Sequence, residues 1–210
     1  ILPSQMELEL RYHLPQQHYK TILTKFPEKI LSERILDNHY FDDEHLTLRR
    51  LRIGLRIRTH GNQTGIITLK YPPAGHTQGP RALKVRHEIE AAYALSKLTP
   101  VLQGKKSILA LDGPPVSRLK QKLRHHRVGS IERLGALETR RTVLEMPRIG
   151  KMELDHCKVF NQTFYELEVE TLNPKKTHRA IEFLLDFLAI PCVPATLSKL
   201  GRFLQEREKR

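Results

Sequence analysis

Residues 5–12 read Gln5-Met6-Glu7-Leu8-Glu9-Leu10-Arg11-Tyr12, an unbroken alternation. Met6, Leu8, Leu10 and Tyr12 fall on one side of an extended chain and Glu7, Glu9 and Arg11 on the other, the period of a β-strand. The polar side is the unusual one. A solvated strand face normally mixes Thr, Lys, Gln and Ser with charges of both signs, whereas here Glu follows Glu. Side chains at i and i+2 stand roughly 6.5–7 Å apart, and two carboxylates at that separation repel by about 2–2.5 kcal/mol at an effective dielectric near 20. On a wet surface screening removes most of that repulsion. The pattern recurs, however, at Glu88 and Glu90, and again at Glu166, Glu168 and Glu170. Carboxylate pairs on three separate strands call for a common cause.

Working outward, Tyr19, Ile22, Leu23 and Phe26 follow helical spacing between Pro15 and Pro27. Ile35 to Asp42 reads as a second strand, and Arg52 to Thr59 as a third, with Ile53, Leu55 and Ile57 opposite Arg52, Arg56 and Arg58. Gly61-Asn62 with Gly65 supplies a turn into the strand Thr64 to Tyr71, which carries Lys70. Tyr71 to Pro80 is a loop by composition. Leu83 to Ala91 alternates again. Helices are expected near Ala91 to Leu102 and Pro115 to Arg127, separated by Gly113-Pro114. Three hairpin-linked strands follow at about Ala136 to Glu145, Lys151 to His156 and Thr163 to Leu172. The chain closes with a helix from about Pro174 to Leu188 and a shorter one from Ser198. That makes about eight strands, with no boundary dividing them, so residues 1–210 are read as one α+β domain. Its helical insertion spans about 91–130 and its C-terminal helices about 174–208.

Composition narrows the classes. A chain of 210 residues with 39% hydrophobic and 28% charged residues has the balance of a globular domain that can bury a core. No run of 18 apolar residues exists, which excludes a helical membrane span, and no membrane partner is expected. Cys157 and Cys192 form neither a metal-type pair nor a disulfide framework, so a reducing, cytoplasmic location is expected. The first residues lack a basic and a long apolar segment, so no signal peptide is read there. The net charge of +13 points to anionic partners.

The charged strands carry both signs. Arg56, Arg58, Lys70 and Arg140 or Arg141 suit phosphate oxygens, which Arg grips bidentately. Clustered carboxylates suit hard cations such as Mg²⁺ or Mn²⁺. Eight antiparallel strands can close into a barrel. If the charged faces line its inside, it would hold metal on one side and a polyanion on the other, with the apolar faces covered by helices. Alternation alone equally allows the inverse, an apolar core with solvated charges.

The motifs resemble those of the CYTH superfamily, the triphosphate tunnel metalloenzymes. Glu7-Leu8-Glu9-Leu10-Arg11 is similar to the ExExK signature, and Tyr40-Phe41-Asp42 to an aromatic-aromatic-Asp element. Leu55-Arg56-Ile57-Arg58 followed by Thr68-Leu69-Lys70 resembles the LRxR and LK strands, and Arg86-His87-Glu88 the RxE strand. Leu154-Asp155 and Tyr165-Glu166-Leu167-Glu168 resemble the late acidic strands, and Ser198-Lys199-Leu200 the C-terminal SK element. ExExK alone is a weak pattern; these elements in this order over nearly the whole chain are a specific one.

The resemblance implies an eight-stranded antiparallel β-barrel, the triphosphate tunnel, with flanking helices. It implies metal-dependent hydrolysis of a triphosphate, inorganic tripolyphosphate or a nucleoside triphosphate, with a class IV-type adenylate cyclase as the alternative. By position, Glu7, Glu9, Glu88, Glu90, Asp155, Glu166 and Glu168 would hold Mg²⁺ or Mn²⁺. Arg56, Arg58, Lys70, Arg86 and Arg141 would bind substrate phosphates, and Arg11 and Lys199 would be catalytic. The partner implied is a triphosphate-containing small molecule, and a homodimer is compatible with it. Two departures stand out. Arg11 replaces the family Lys and cannot exchange a proton near neutral pH. Gly54 stands where thiamine-triphosphate-specific members carry a stacking Trp, and the chain has no Trp. A non-catalytic polyphosphate or nucleic-acid binding module is a further alternative. The net charge favours it, while carboxylate pairs that repel a polyanion speak against it. His125-His126 and the basic stretch Arg118 to Arg127 read as a solvated face, and Cys157 as a packing residue.

Overall fold

A computed structural model describes residues 5–61, 63–75 and 80–210. The strands are β1 (Gln5–Leu14), β2 (Ile30–Asp42), β3 (Gly54–Thr59), β4 (Thr64–Tyr71), β5 (Leu83–Ala94), β6 (Glu132–Met146), β7 (Gly150–Val159), β8 (Gln162–Glu170) and the two-residue β9 (Val193–Pro194). They form one antiparallel sheet in the order β5-β4-β3-β2-β6-β7-β8-β1-β9, and a further pairing of β5 with β1 closes the eight long strands into a barrel. Among the described residues six α-helices flank it: α1 (Gln16–Lys25), α2 (Thr47–Arg50), α3 (Leu95–Leu102), α4 (Pro114–Leu123), α5 (Pro174–Phe187) and α6 (Lys199–Glu208). Among the described residues, no helix is long and apolar enough to cross a membrane.

Several element boundaries differ from the sequence reading: β2 begins at Ile30 rather than Ile35, β6 at Glu132 rather than Ala136, and α4 ends at Leu123 rather than Arg127. The helix expected from Ala91 begins at Leu95, because β5 keeps pairing with β4 as far as Ala94 opposite Thr64. Arg52 precedes β3 in a turn with φ +59°, so its place in the alternation is coincidental. Asn62 of the expected turn and residues 76–79 of the expected loop lie outside the described residues.

The residues group into two compact units. In the first, drawn chiefly from Leu36–Ala74 and Arg86–Leu137, the apolar faces of the strands pack on helices. Leu55, Ile57, Ile67, Leu69 and Ile89 meet Leu48 of α2, Leu98 and Val101 of α3 and Val116, Leu119 and Leu123 of α4, all buried. Removing such side chains from water is worth about 1.5–3 kcal/mol each. Gly113, at φ +119°, opens α4, and a Cβ there would run into the Tyr93 hydroxyl, which donates to Asp112 O at 2.6 Å.

In the second unit, drawn chiefly from Glu7–Ile35 and Glu138–Arg210, Leu10, Tyr12, Leu14, Leu144, Met152, Leu154, Leu167 and Val169 pack on Tyr19 and Ile22 of α1 and Ile181 and Leu185 of α5. In both units, therefore, one strand face is covered by helices. The opposite face carries the charged residues.

The aromatic-aromatic-Asp element has a structural role visible in its bonds. Asp42, only 3% exposed, accepts hydrogen bonds from Asp43 N and Leu48 N at 2.8 Å and from Arg49 N at 2.9 Å. These include amides at the start of α2, which have no partner within the helix. Asp43 in turn accepts from Thr47 N at 2.7 Å and from Gly129 N at 3.0 Å. Asp42→Ala would strand three buried amides, each unmade bond costing on the order of 1 kcal/mol or more. Its thermal midpoint is expected to fall by about 5–10 °C; an unchanged midpoint would rule out this capping role.

Candidate functional site

Each unit carries a charged set on its uncovered strand face. In the second unit, strand register builds it. Arg11 lies opposite Glu168, which lies opposite Glu153; His13 lies opposite Glu166, which lies opposite Asp155, itself opposite Arg141. The strict two-residue period of β1, β7 and β8 therefore puts every polar side chain of these rows on one face. Lys199 arrives from α6. Ser198 caps that helix, its Oγ accepting from Gly201 N at 3.0 Å, which fixes where the helix starts and so where its first side chain projects. Lys199 is buried.

Lys199 Nζ lies 2.8 Å from Asp155 Oδ2 and 3.3 Å from Glu166 Oε2, and it donates to Glu168 Oε1. Arg141 donates from Nε to Asp155 Oδ1 at 2.8 Å and from Nη2 to Asp155 Oδ2 at 2.6 Å and Glu168 Oε2 at 2.8 Å, and its Nη1 pairs with Glu153. Arg11 Nε stands 3.6 Å from Glu9 Oε2, and Arg11 Nη2 donates to Leu197 O at 3.2 Å. Arg202 Nε stands 3.6 Å from Glu166 Oε1, with its guanidinium over the Phe164 ring.

These contacts set the charge states. Burial opposes the ammonium of Lys199, yet Asp155, Glu168 and Glu166 together hold it well above the usual lysine range. Burial likewise opposes the Glu168 carboxylate, but Lys199, Arg141 and Arg11 outweigh it and hold that carboxyl well below its usual range. At Glu166 burial prevails and the carboxyl is pushed up. Glu153 is raised for the same reason.

The composition of this set suits a divalent cation. Glu7, Glu9, Glu153, Asp155, Glu166 and Glu168 are gathered here with Arg11, Arg141, Lys199 and Arg202. Glu166 is 0% exposed, and both its carboxylate oxygens are buried without a hydrogen bond. Such a group is costly to bury unless a further cation meets it. Asp155 and Glu168 are hydrogen-bonded to Lys199 or Arg141, whereas Glu166 has the longer ion pairs to Lys199 and Arg202 and no hydrogen bond.

In the first unit the balance is reversed. Arg56 Nη2 stands 3.9 Å from Glu90 Oε1 and 4.0 Å from Glu88 Oε1, and Lys70 Nζ lies 3.2 Å from Glu88 Oε1. Arg58 donates from Nε to Asn38 Oδ1 at 3.1 Å. Thr68 donates to Glu90 Oε1 at 2.7 Å. Burial would raise the Glu90 carboxyl, but Thr68, Arg56 and Arg58 bring it below its usual value. Arg56 Nε is buried without a hydrogen bond. Arg86 stands on β5, two residues before Glu88. Three cations around two carboxylates leave this set positive.

The CYTH domain family model matches residues 5–200. The chain belongs to the CYTH family. Its fold is similar to that of a candidate adenylyl cyclase from Hippeastrum described as revealing a dominant triphosphatase activity. The two share 22% identity and a TM-score of 0.77, over 95% of this chain and 96% of that one. A candidate adenylate cyclase from Bacillus halodurans is similar at 21% identity and a TM-score of 0.76, over 95% and 98%. The Mimivirus capping enzyme triphosphatase is similar at 11% identity and a TM-score of 0.51, over 88% of each chain. No curated protein matches the sequence.

Within the CYTH frame, Glu153, Arg202, Asn38 and Thr68 belong to the charged sets without having been singled out in the sequence. Glu153 was accessible, since it lies two residues before Asp155 on the same strand face. Arg202 lies three residues beyond Lys199 on one helix face. Asn38 and Thr68 gave no signal, because a lone polar residue in a strand is ordinary. Cys157 is fully buried beside Thr139, and burial pushes its thiol up, which leaves it an inert packing group. His125 and His126 are exposed.

Proposed function

We propose that this CYTH chain is a triphosphatase that hydrolyses inorganic tripolyphosphate or a nucleoside triphosphate with Mg²⁺ or Mn²⁺. The observation that carries the reading is Glu166, fully buried, with both oxygens lacking a hydrogen bond, beside the carboxylates of Asp155 and Glu168. The cation would be held by Glu166 with Glu7, Glu9, Asp155 and Glu168. When bound, such a cation neutralises phosphate oxygens and makes water a better nucleophile.

The chain's own residues supply the rest. Hydrolysis places water on the terminal phosphorus and expels the remaining phosphates, and charge spreads over the peripheral oxygens in a loose transition state. Arg56, Arg58 and Lys70, with Arg86, would meet those oxygens. Arg56 is the best placed, because its guanidinium has donors that its distant ion pairs leave uncommitted. Lys199 and Arg11 stay charged at neutral pH and act as fixed positive charges rather than as bases.

Arg56→Ala should therefore raise KM for tripolyphosphate about 10–100-fold, the equivalent of one charge-assisted bond, with a smaller change in kcat. An unchanged KM would remove Arg56 from phosphate binding. The reading as a whole is tested by phosphate release from tripolyphosphate, ATP and thiamine triphosphate, each with Mg²⁺, Mn²⁺ or EDTA. Metal-dependent release from tripolyphosphate or ATP is the expected result. Cyclic AMP with pyrophosphate from ATP would make the chain a cyclase, the name borne by two proteins of similar fold. No turnover, with salt-sensitive polyanion binding, would make it a binding module.

A further inference from the structure

A second cluster of metal-type ligands lies in the second unit, apart from the charged strand face. His178 and Glu182 are one turn apart on α5, and Cys192 lies in the segment between α5 and β9. One ligand atom from each, His178 Nε2 or Nδ1, a Glu182 carboxylate oxygen and Cys192 Sγ, lies within 4.8 Å of the other two. His178 Nε2 is 3.3 Å from Glu182 Oε1. We propose that His178, Glu182 and Cys192 form a zinc site that clamps α5 to the segment leading into β9.

Three features support it. The first is how His178 is held. Its Nδ1 lies 2.5 Å from the hydroxyl of Tyr12, a fully buried residue whose ring stacks on the imidazole with 10° between the planes. With the proton on Nδ1 donating to that oxygen, Nε2 carries its lone pair toward Glu182, the second-sphere arrangement that orients zinc-binding histidines. Burial together with Cys192 and Glu182 keeps the Tyr12 hydroxyl protonated, so it remains a neutral partner.

The second feature is ligand type. Thiolate, imidazole and carboxylate together select zinc over Mg²⁺ or Ca²⁺, and three protein ligands leave a fourth position for water. A tetrahedral zinc with such ligands spaces them roughly 3.4–3.8 Å apart, so a slight tightening of the present cluster completes it. One thiolate and one carboxylate would balance the charge of the ion.

The third is topology. Beyond Cys192, β9 pairs with β1, Val193 facing His13 and Pro194 facing Tyr12, and the chain then enters α6 at Lys199. A metal here would tie the helix that covers the apolar face to the segment that delivers Lys199. Without metal, burial first and then Glu182 push the Cys192 thiol up to about 11, so it is protonated at neutral pH. Zinc binding must therefore displace the Cys192 proton, releasing one H⁺ as the Zn–S bond forms.

Cobalt(II) is the probe, because a thiolate ligand gives it a charge-transfer band in the near ultraviolet that carboxylates cannot produce. Adding Co²⁺ to the chelator-treated full chain should produce this band. One proton per site should be released as Co²⁺ binds, and Zn²⁺ should then bleach the band with no further proton release and raise the melting temperature. Cys192→Ser should abolish the band, Glu182→Gln should weaken binding at least tenfold, and Cys157→Ser and Glu166→Gln should leave the band intact. Glu182 is exposed, so its variant tests the site without threatening the fold. No band, or one that survives Cys192→Ser, would overturn the proposal. The band is read without substrate, so its loss and a failure of the triphosphatase reading are separate results.

Discussion

Glu166→Gln is expected to abolish triphosphate hydrolysis, a loss of at least about 100-fold, while the protein folds normally. Even second-sphere partners of a bound metal are worth 10–100-fold, and Glu166 is placed as a direct ligand. The substitution keeps shape and volume but removes the charge that would meet a dication. The fold should tolerate it. Glu166 makes no hydrogen bond in the free protein, and its ion pairs to Lys199 and Arg202 are long, at 3.3 and 3.6 Å. The discriminating measurement pairs activity with melting temperature in Mn²⁺ and in EDTA. Wild type should be stabilised by Mn²⁺ through binding to the native state alone, and the variant should not. A Glu166→Gln protein that keeps full turnover would end the assignment of the buried carboxylates to a metal.

How much of this was legible in the sequence depends on periodicity. Strands β1, β4, β7 and β8 could be read from alternation because one face is covered by helices and the other is not, which leaves a clean period of two. The same logic misled at Arg52, whose positive φ breaks the strand that the alternation extends through it. It failed at Ala91 to Ala94 too, where three alanines suit a helix as well as a strand while the ladder to β4 persists. The charged residues were visible as an anomaly because Glu repeats where a wet face would not repeat it. What could not be read was which charges meet: Arg141 reaches Asp155 only through the register of β6 on β7, and Lys199 reaches both only through the start of α6. The His178, Glu182 and Cys192 cluster was hidden for the same reason, since a lone His, a helical Glu and a single Cys each look ordinary until the chain brings them within 4.8 Å.

The other large effect belongs to stability. Lys199→Met should destabilise the protein by about 3 kcal/mol at pH 8, because a buried ion-pair network that loses one partner leaves charges uncompensated. Asp155 and Glu166 are 0% exposed and Glu168 4%, and Arg141 meets only the first and last of these. For a chain of this size the loss corresponds to roughly 6–12 °C in the melting midpoint.

The pH dependence identifies the cause. In the wild type, Glu168 has a folded pKa below its unfolded value, so its stabilising contribution is present above the unfolded carboxylate range and is lost as pH falls. Lys199 has a folded pKa above its unfolded value, so its contribution is complete below about 10.5 and persists through neutrality. In the variant, carboxylates crowded without the ammonium take up protons more readily than in the unfolded chain, and acidification relieves the strain. The gap between wild type and variant should therefore be widest at pH 7–8 and close as pH falls toward about 4.5. A constant gap would mean that Lys199 matters for packing alone, and no gap at pH 8 would mean that Arg141 suffices to neutralise the cluster.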